Sequence, residues 1–272
     1  MADYIQNNYY ELQFAIIFGG MFVFFILEGF IPRRNPSQNQ TGRWFNNIGL
    51  AFFNHFIVLF YSIGLGFVIQ KLHSDTTLVR HFQISDINIF IFLVFLMEFI
   101  TYWLHRAFHK FPLLWKIHAV HHSDIEIDVT TGHRHHPLEP MINGLIATPL
   151  IIFLGAPVIV IAMVNILHAA IAHFSHSNIV LPKRLDSYLR KFIATPDFHR
   201  MHHSSQRKYT DSNFCVMFPI FDYVFGTATR LPYNELPEME IGLEYFREPK
   251  NNRLDQLLLM PLLSEKSINS LR

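Results

Sequence analysis

Five histidines fall between residues 105 and 122, in HRAFHKFPLLWKIHAVHH: His105, His109, His118, His121 and His122. Their spacings are i,i+4 and then i,i+3,i+4, and on a helix residues three and four apart share a face. A third group, His199, His202 and His203 in HRMHH, repeats the second pattern 81 residues later. Each group is therefore expected to point its imidazoles at one place. Imidazole is the commonest metal-ligating side chain and suits iron, zinc and copper. Eight imidazoles exceed what one ion takes, so the pattern predicts a two-metal site. The zinc-peptidase pattern HExxH is absent, because His105 is followed by Arg106 and His118 by Ala119. Carboxylates, the usual addition in hydrolytic two-metal sites, are scarce in these groups. A redox pair of irons that activates O2 fits better, and such an oxidant can attack an unactivated C–H bond, the only handle on a lipid chain or sterol ring.

The elements that must position these groups read as membrane helices. Half of the 272 residues are hydrophobic and 16% are charged, against roughly 25% charged in an average soluble domain. Net charge is +1, which gives no sign of a nucleic-acid partner. The lone cysteine, Cys215, excludes an internal disulfide and a thiolate metal site. The opening MADYIQNNYYELQ has an acid and no basic residue before the first apolar run, unlike a cleaved signal peptide. Apolar stretches at 12–31, 48–69 and 87–104 each approach the roughly 20 residues a span needs. Residues 141–172 are apolar but broken by Pro149, Gly155 and Pro157. They predict a helical hairpin of two short arms that enters the membrane and returns, which puts His168, His173 and His176 beside the other histidines. Gly19 and Gly20 either let another helix approach the first span or are simply tolerated there.

Charge sets the expected orientation. The 32–47 loop carries Arg33, Arg34 and Arg43 with no acid, whereas 70–86 balances Lys71 and Arg80 against Asp75 and Asp86. The first loop is then cytoplasmic, and His105 emerges on that side. His55, at membrane depth but without a spaced partner, is expected to be structural, and His73 and His81 to be surface residues. Glu98 shares the face of His105 at i−7, as an imidazole acceptor or a plain helix contact. Glu139 and Asp197 are acceptors of the same kind or salt-bridge and cap residues. Phe111-Pro112 should break the helix after the first pair. Thr195 and Pro196 should start the helix that carries His199, as N-cap and N1.

These residues carry a resemblance. From about 87 to 256 the chain resembles the fatty acid hydroxylase / sterol desaturase superfamily of membrane di-iron oxygenases. The matching pieces are HRAFH at 105–109, LWKIHAVHHS at 114–123, RHHPLE at 134–139, HSN at 176–178 and TPDFHRMHHS at 195–204. Softer echoes are DSNF at 211–214, FDYVFGT at 221–227 and IGLEYFREP at 241–249. The resemblance implies an all-α, multi-pass membrane bundle with a cytoplasmic helical cap, at 105–140 and 177–272, holding a histidine-ligated dinuclear site in one domain, 1–272. It implies ten ligands: His105, His109, His118, His121, His122, His136, His176, His199, His202 and His203. His136 matches the family's histidine before Pro, and His176 the one before Ser-Asn. His133, His135, His168 and His173 are extra to the pattern, and Cys215 stands where glycine is usual. Two irons, with zinc an alternative in purified protein, O2 as co-substrate and a fatty acyl, sterol or related lipid substrate follow from the same resemblance. This chain has no flavin, haem or pyridine-nucleotide fingerprint, so electrons must come from a separate carrier of cytochrome b5, ferredoxin or reductase type. The competing reading is a histidine-rich membrane metal transporter, or a metal-binding protein without oxygenase activity. A transporter would carry its ligands within the spans, whereas here they cluster beyond the span ends.

Overall fold

The computed structural model describes residues 8–36, 40–71 and 78–263. It is built of helices: α1 Tyr9–Phe30, α2 Gln40–Lys71, α3 Leu78–His81, α4 Asp86–Lys110, α5 Pro112–His122, α6 Leu138–Leu154 and α7 Val158–His176. Shorter ones follow: α8 Lys183–Leu189, α9 Pro196–His202, α10 Arg207–Thr210, α11 Ile220–Val224 and α12 Leu254–Leu259. The described residues hold no strand, only isolated bridges at Pro32–Ile179 and Ser204–Ile241. Among the described residues three helices are long and apolar enough to cross a membrane, at Glu11–Phe30, Asp86–Lys110 and Val158–His176. Their outer faces present large apolar side chains such as Phe22, Phe30, Ile87 and Phe92. His73 lies outside the described residues.

α1 packs on α7, α2 on α6, and α4 against both α6 and α7. At Gly20 a Cβ would stand 2.8 Å from Nδ1 of His173, so close approach of α1 and α7 requires the glycine there, whereas Gly19 faces open space. The broken apolar stretch is a helix pair, as expected, but its second arm has 19 residues and is long enough to span. Gly155 separates the arms in the left-handed region at φ 71°, its N–H closing on Ile151 and Ile152. Glu139 at the start of α6 and His176 at the end of α7 both reach the histidine groups, so the pair leaves that level and returns to it.

Phe111 is extended, as a residue before proline must be, and Pro112 opens α5. The chain therefore reverses onto itself, and α5 packs against α4. This fold-back brings the histidines of HRAFH to face those of HAVHH.

The arginines counted as loop charges are structural. Arg33 pairs with Asp197 at 3.0 Å and donates to the Tyr233 carbonyl, and Arg34 donates to the Met239 carbonyl. Arg43 lies within α2, buried between Asp124, at 2.8 Å, and Asp128. Buried charges persist only when paired. Arg33, Arg34 and Arg43 are thus fastened to the segments that carry the histidines and lie on their side of the molecule. Arg134, fully buried, joins the Val120 carbonyl, Asn47, Ser123 and Asn252. Beneath it, Leu50, Ala119, Val120 and Leu257 form an apolar core that seats α5 on α2 and α12.

Candidate metal centre

The histidines converge on two foci. His105, His109, His118, His122 and His202 form one, and His121, His176, His199 and His203 the other, with the nitrogens of each group within 4.8 Å of one another. Each HxxHH group is divided between them rather than aimed at one place. At about 100° per residue, i and i+4 diverge by only about 40°, whereas i+3 and i+4 lie about 100° apart. His118 and His122 therefore share one focus while His121 turns to the other. α9 answers in reverse: His199 and His203 enter the second focus, and His202 crosses to the first. His122 of the first focus and His203 of the second, with ring centres 4.7 Å apart, tie the foci together.

α9 begins as the sequence indicates. Thr195 Oγ1 accepts from the Phe198 N–H, with Pro196 at N1. The irregular segment after α10 supplies what the imidazoles need on their outer edges. His202 Nδ1 donates to the Ser212 carbonyl at 2.7 Å, and His105 Nδ1 to the Phe214 carbonyl at 2.7 Å. His109 Nδ1 meets Asp211 Oδ1 at 3.2 Å. On the other side His176 Nδ1 donates to the Ala172 carbonyl at 2.8 Å, and His118 Nδ1 to Glu139 Oε1 at 3.0 Å. These bonds hold the proton on Nδ1 and turn an unprotonated Nε2 inward.

The inward nitrogens fit metal ions. Nε2 atoms stand 3.0 Å apart between His105 and His118, 3.2 Å between His118 and His122, 2.9 Å between His176 and His199, and 3.2 Å between His199 and His203. Nitrogens about 2.0–2.1 Å from a shared ion lie about 2.9 Å apart at a right angle and about 3.4 Å at a tetrahedral one. In the His105–His118 pair both Nδ1 atoms are the donors, so two lone pairs face each other, an arrangement a cation stabilises and a proton-free gap does not. Nε2 of His109 and of His202 is buried without any hydrogen-bond partner. Burial, and then neighbouring imidazoles, holds His121, His122, His199, His202 and His203 well below the usual histidine range. They are neutral at pH 7, the state that binds metal.

Nine of the ten residues implied as ligands are thus brought together, and His136 is not. Its Nδ1 accepts from the Leu138 N–H at 3.2 Å and its Nε2 reaches the Leu258 carbonyl at 3.2 Å. With one nitrogen accepting and the other donating, no lone pair remains for a metal, and His136 serves as a cap for α6. Its neighbour His135 takes the inner position. The His135 ring stacks on His121 with centres 4.2 Å apart, and its Nδ1 lies 3.1 Å from Glu139. Burial disfavours charge on His135, but the Glu139 carboxylate outweighs it and raises the imidazole above its usual range.

Other candidates have different work. Glu98 does not touch an imidazole; its Oε1 accepts the backbone N–H groups of Val216, Met217 and Phe218 at 3.0–3.2 Å. Asp197 is committed to Arg33. His133 and His173 pair with each other, Nε2 to Nε2 at 2.8 Å. His55 stands edge-on to Phe14 and Phe18, away from both foci. His168 lines a cavity of about 240 Å³ that opens onto His105, His118, His121, His176 and His199. Leu104, Phe108, Ala172 and Val216 supply its apolar wall. Sequence reasoning missed Ser212 and Phe214 as outer partners: DSNF was visible as a motif, but backbone carbonyls leave no mark in residue type.

Described residues that are all helical, with membrane-length helices and two buried histidine foci able to hold metal, define a class, the histidine-rich membrane proteins. Within that class the chain belongs to the fatty acid hydroxylase family, whose pattern its residues 90–227 match. Human alkylglycerol monooxygenase is 29% identical over 132 residues, 48% of this chain and 28% of that protein. The very-long-chain aldehyde decarbonylase CER1 of Arabidopsis thaliana is 32% identical over 146 residues, 48% and 22%. The ornithine lipid hydroxylase OlsE of Rhizobium tropici is 29% identical over 135 residues, 50% and 40%. The matched stretches span less than half the length of each of these relatives. No solved structure is similar enough to match.

Proposed function

We propose that residues 1–272 act as one integral-membrane di-iron oxygenase unit, which uses O2 and electrons from a separate carrier to oxidise a C–H bond of a lipid, with its site on the cytoplasmic side. The observation that carries this reading is the pair of histidine foci with inward, proton-free nitrogens beside a cavity with apolar walls. Nitrogen-only donors favour a redox metal over a hydrolytic carboxylate site. The named relatives, a monooxygenase, a decarbonylase and a hydroxylase of lipids, support an oxidative reaction on the same class of substrate.

Nine imidazoles, His105, His109, His118, His121, His122, His176, His199, His202 and His203, would hold the two irons. The irons, when bound, supply the activation of O2 that no side chain provides. The chain's own residues do the rest. The Phe214, Ser212 and Ala172 carbonyls and Glu139 fix which imidazole nitrogen carries the proton and orient the rings. Leu104, Phe108 and Val216 exclude water beside the foci and bind a hydrocarbon segment. The Arg33, Arg34 and Arg43 anchors keep the cap closed over the helices.

The test is oxygen uptake by iron-loaded, detergent-purified protein supplied with a reductant and a membrane-lipid extract, with product lipids identified by mass. Uptake coupled to a lipid gaining oxygen or losing hydrogen supports the reading. Stoichiometric iron with no lipid-dependent uptake would support the metal-binding alternative instead.

A further inference from the structure

Three cavities lie end to end between the helices. The one against the histidines shares Gly132, His135, Glu139 and Asn143 with a second, of about 270 Å³, lined by α1, α2, α6 and the 132–135 segment. That second cavity shares Gln13 and Ile17 with a third, of about 190 Å³, in the seam between α1 and α7, where Leu12, Ile16, Ala162 and Ile166 make an apolar lining. The three thus adjoin in a row, from the apolar outer seam through a middle chamber to the histidine foci.

The middle chamber has a mostly apolar wall, with Ile17, Ala51 and Val58 among its lining, and a few polar side chains set into it. Asn54 and Asn143 line it, and in each the amide Oδ1 is buried and accepts no hydrogen bond. For Asn54 the amide orientation is fixed, because its Nδ2 donates to the His135 carbonyl at 2.8 Å, so the free atom is the oxygen. His133 faces the same chamber, but its Nε2 is engaged by His173 at 2.8 Å. The chamber therefore offers unused acceptors. A buried acceptor left without a donor costs about 1–3 kcal/mol. His135 links the chamber to the reaction site: its carbonyl holds Asn54 while its ring stacks on His121 at 4.2 Å.

Resting on the lipid-oxygenase reading, we propose that the middle chamber is a head-group site for a lipid whose polar end carries a hydrogen-bond donor, a hydroxyl or an N–H. Asn54 and Asn143 accept from that donor. The chain enters tail first through the seam between α1 and α7, the head stops in the middle chamber, and the carbons next to it run on into the cavity beside His118 and His121. The bond presented to the metal centre then lies within a few carbons of the head rather than in mid-chain.

The proposal is tested by binding alone, without turnover. The full chain in phosphatidylcholine nanodiscs is titrated with radiolabelled hexadecan-1-ol and with 1-methoxyhexadecane at equal mole fraction. The two share a tail and an oxygen, and only the alcohol donates a hydrogen bond. The wild type should hold the alcohol about tenfold more tightly, the ratio expected for one buried acceptor satisfied. Asn143→Leu should bring that ratio close to one while the ether binds as before, with iron content and melting temperature reporting that the fold is intact. Equal binding of the two lipids by the wild type would overturn the proposal even if the variant misfolds, and so would an unchanged preference in a folded Asn143→Leu. Failure of either lipid to bind at all would instead count against the lipid-oxygenase reading, so the two failures are distinct.

Discussion

Replacing Glu139 by Gln keeps the shape of the side chain and removes its charge. The Glu139 carboxylate accepts from His118 Nδ1 at 3.0 Å and lies 3.1 Å from His135 Nδ1, with its own side chain 7% exposed. The amide keeps one acceptor oxygen, so one imidazole must face an NH2 group, and the surviving bond loses its charge assistance, about half its strength. Losing the outer partner of a metal-ligating imidazole typically costs 10–100-fold in metal affinity, and the low exposure of Glu139 leaves no water to compensate. Asp211→Asn is the internal comparison. Asp211 makes the same kind of contact with His109 Nδ1, at 3.2 Å, but is 44% exposed. Water can replace it, and an exposed charged contact contributes about 0–1 kcal/mol, so its loss should weaken binding less than about fivefold. The assay is equilibrium competition for iron against a chelator, counted per chain. Equal effects of the two substitutions, or an affinity of Glu139→Gln within twofold of wild type, would refute the assignment of Glu139 as the partner that fixes His118.

Three further outcomes follow from the geometry. His136→Ala should retain its full metal complement, since both His136 nitrogens are committed to Leu138 and Leu258; loss of a metal would return His136 to the ligand set. Glu98→Leu should lower stability by about 1–3 kcal/mol, because the buried Met217 N–H and the half-buried Val216 and Phe218 N–H groups lose their acceptor. Glu98→Gln, which keeps an acceptor, should cost less, and the two are compared by thermal denaturation in detergent. The metal-free protein should melt lower at pH 5.5 than at pH 7.5. His121, His122, His199, His202 and His203 are held below the usual value in the fold, so the unfolded chain binds more protons once pH drops under about 6.5. Stability is therefore full above that value and falls as pH falls, by about 1.4 kcal/mol per histidine one unit below it. A melting temperature that rises on acidification would show that these histidines are not buried and neutral.

The parts of the site written in local rules were legible in the sequence. Pro112 marks the fold-back of α5 onto α4, and Thr195 with Pro196 marks the start of α9, because each acts through its own backbone. The i,i+3,i+4 spacing announced convergent imidazoles. It also carried the divergence of about 100° between the last two histidines of each HxxHH group, but not which focus each would meet, since that depends on how α9 approaches α5. The choice between His135 and His136 was equally invisible: adjacent residues in an irregular turn point in opposite directions, and the turn is set by tertiary contacts with Asn54 and Leu258. Arg33, Arg34 and Arg43 read as a loop charge because their partners, from Asp124 to Met239, are remote in sequence. The second arm of the hairpin reads short because α7 continues past the apolar run to His173 and His176, whose polarity hides its length.

The measurement that bears most directly on the two-metal account is the iron content of detergent-purified protein expressed with added iron, for wild type, His202→Ala and His121→Ala. The account predicts about two irons per chain in the wild type. His202→Ala should weaken the five-histidine focus and His121→Ala the four-histidine focus, each leaving about one iron in the other. A wild type that holds no stoichiometric metal, or variants that keep both ions, would contradict it.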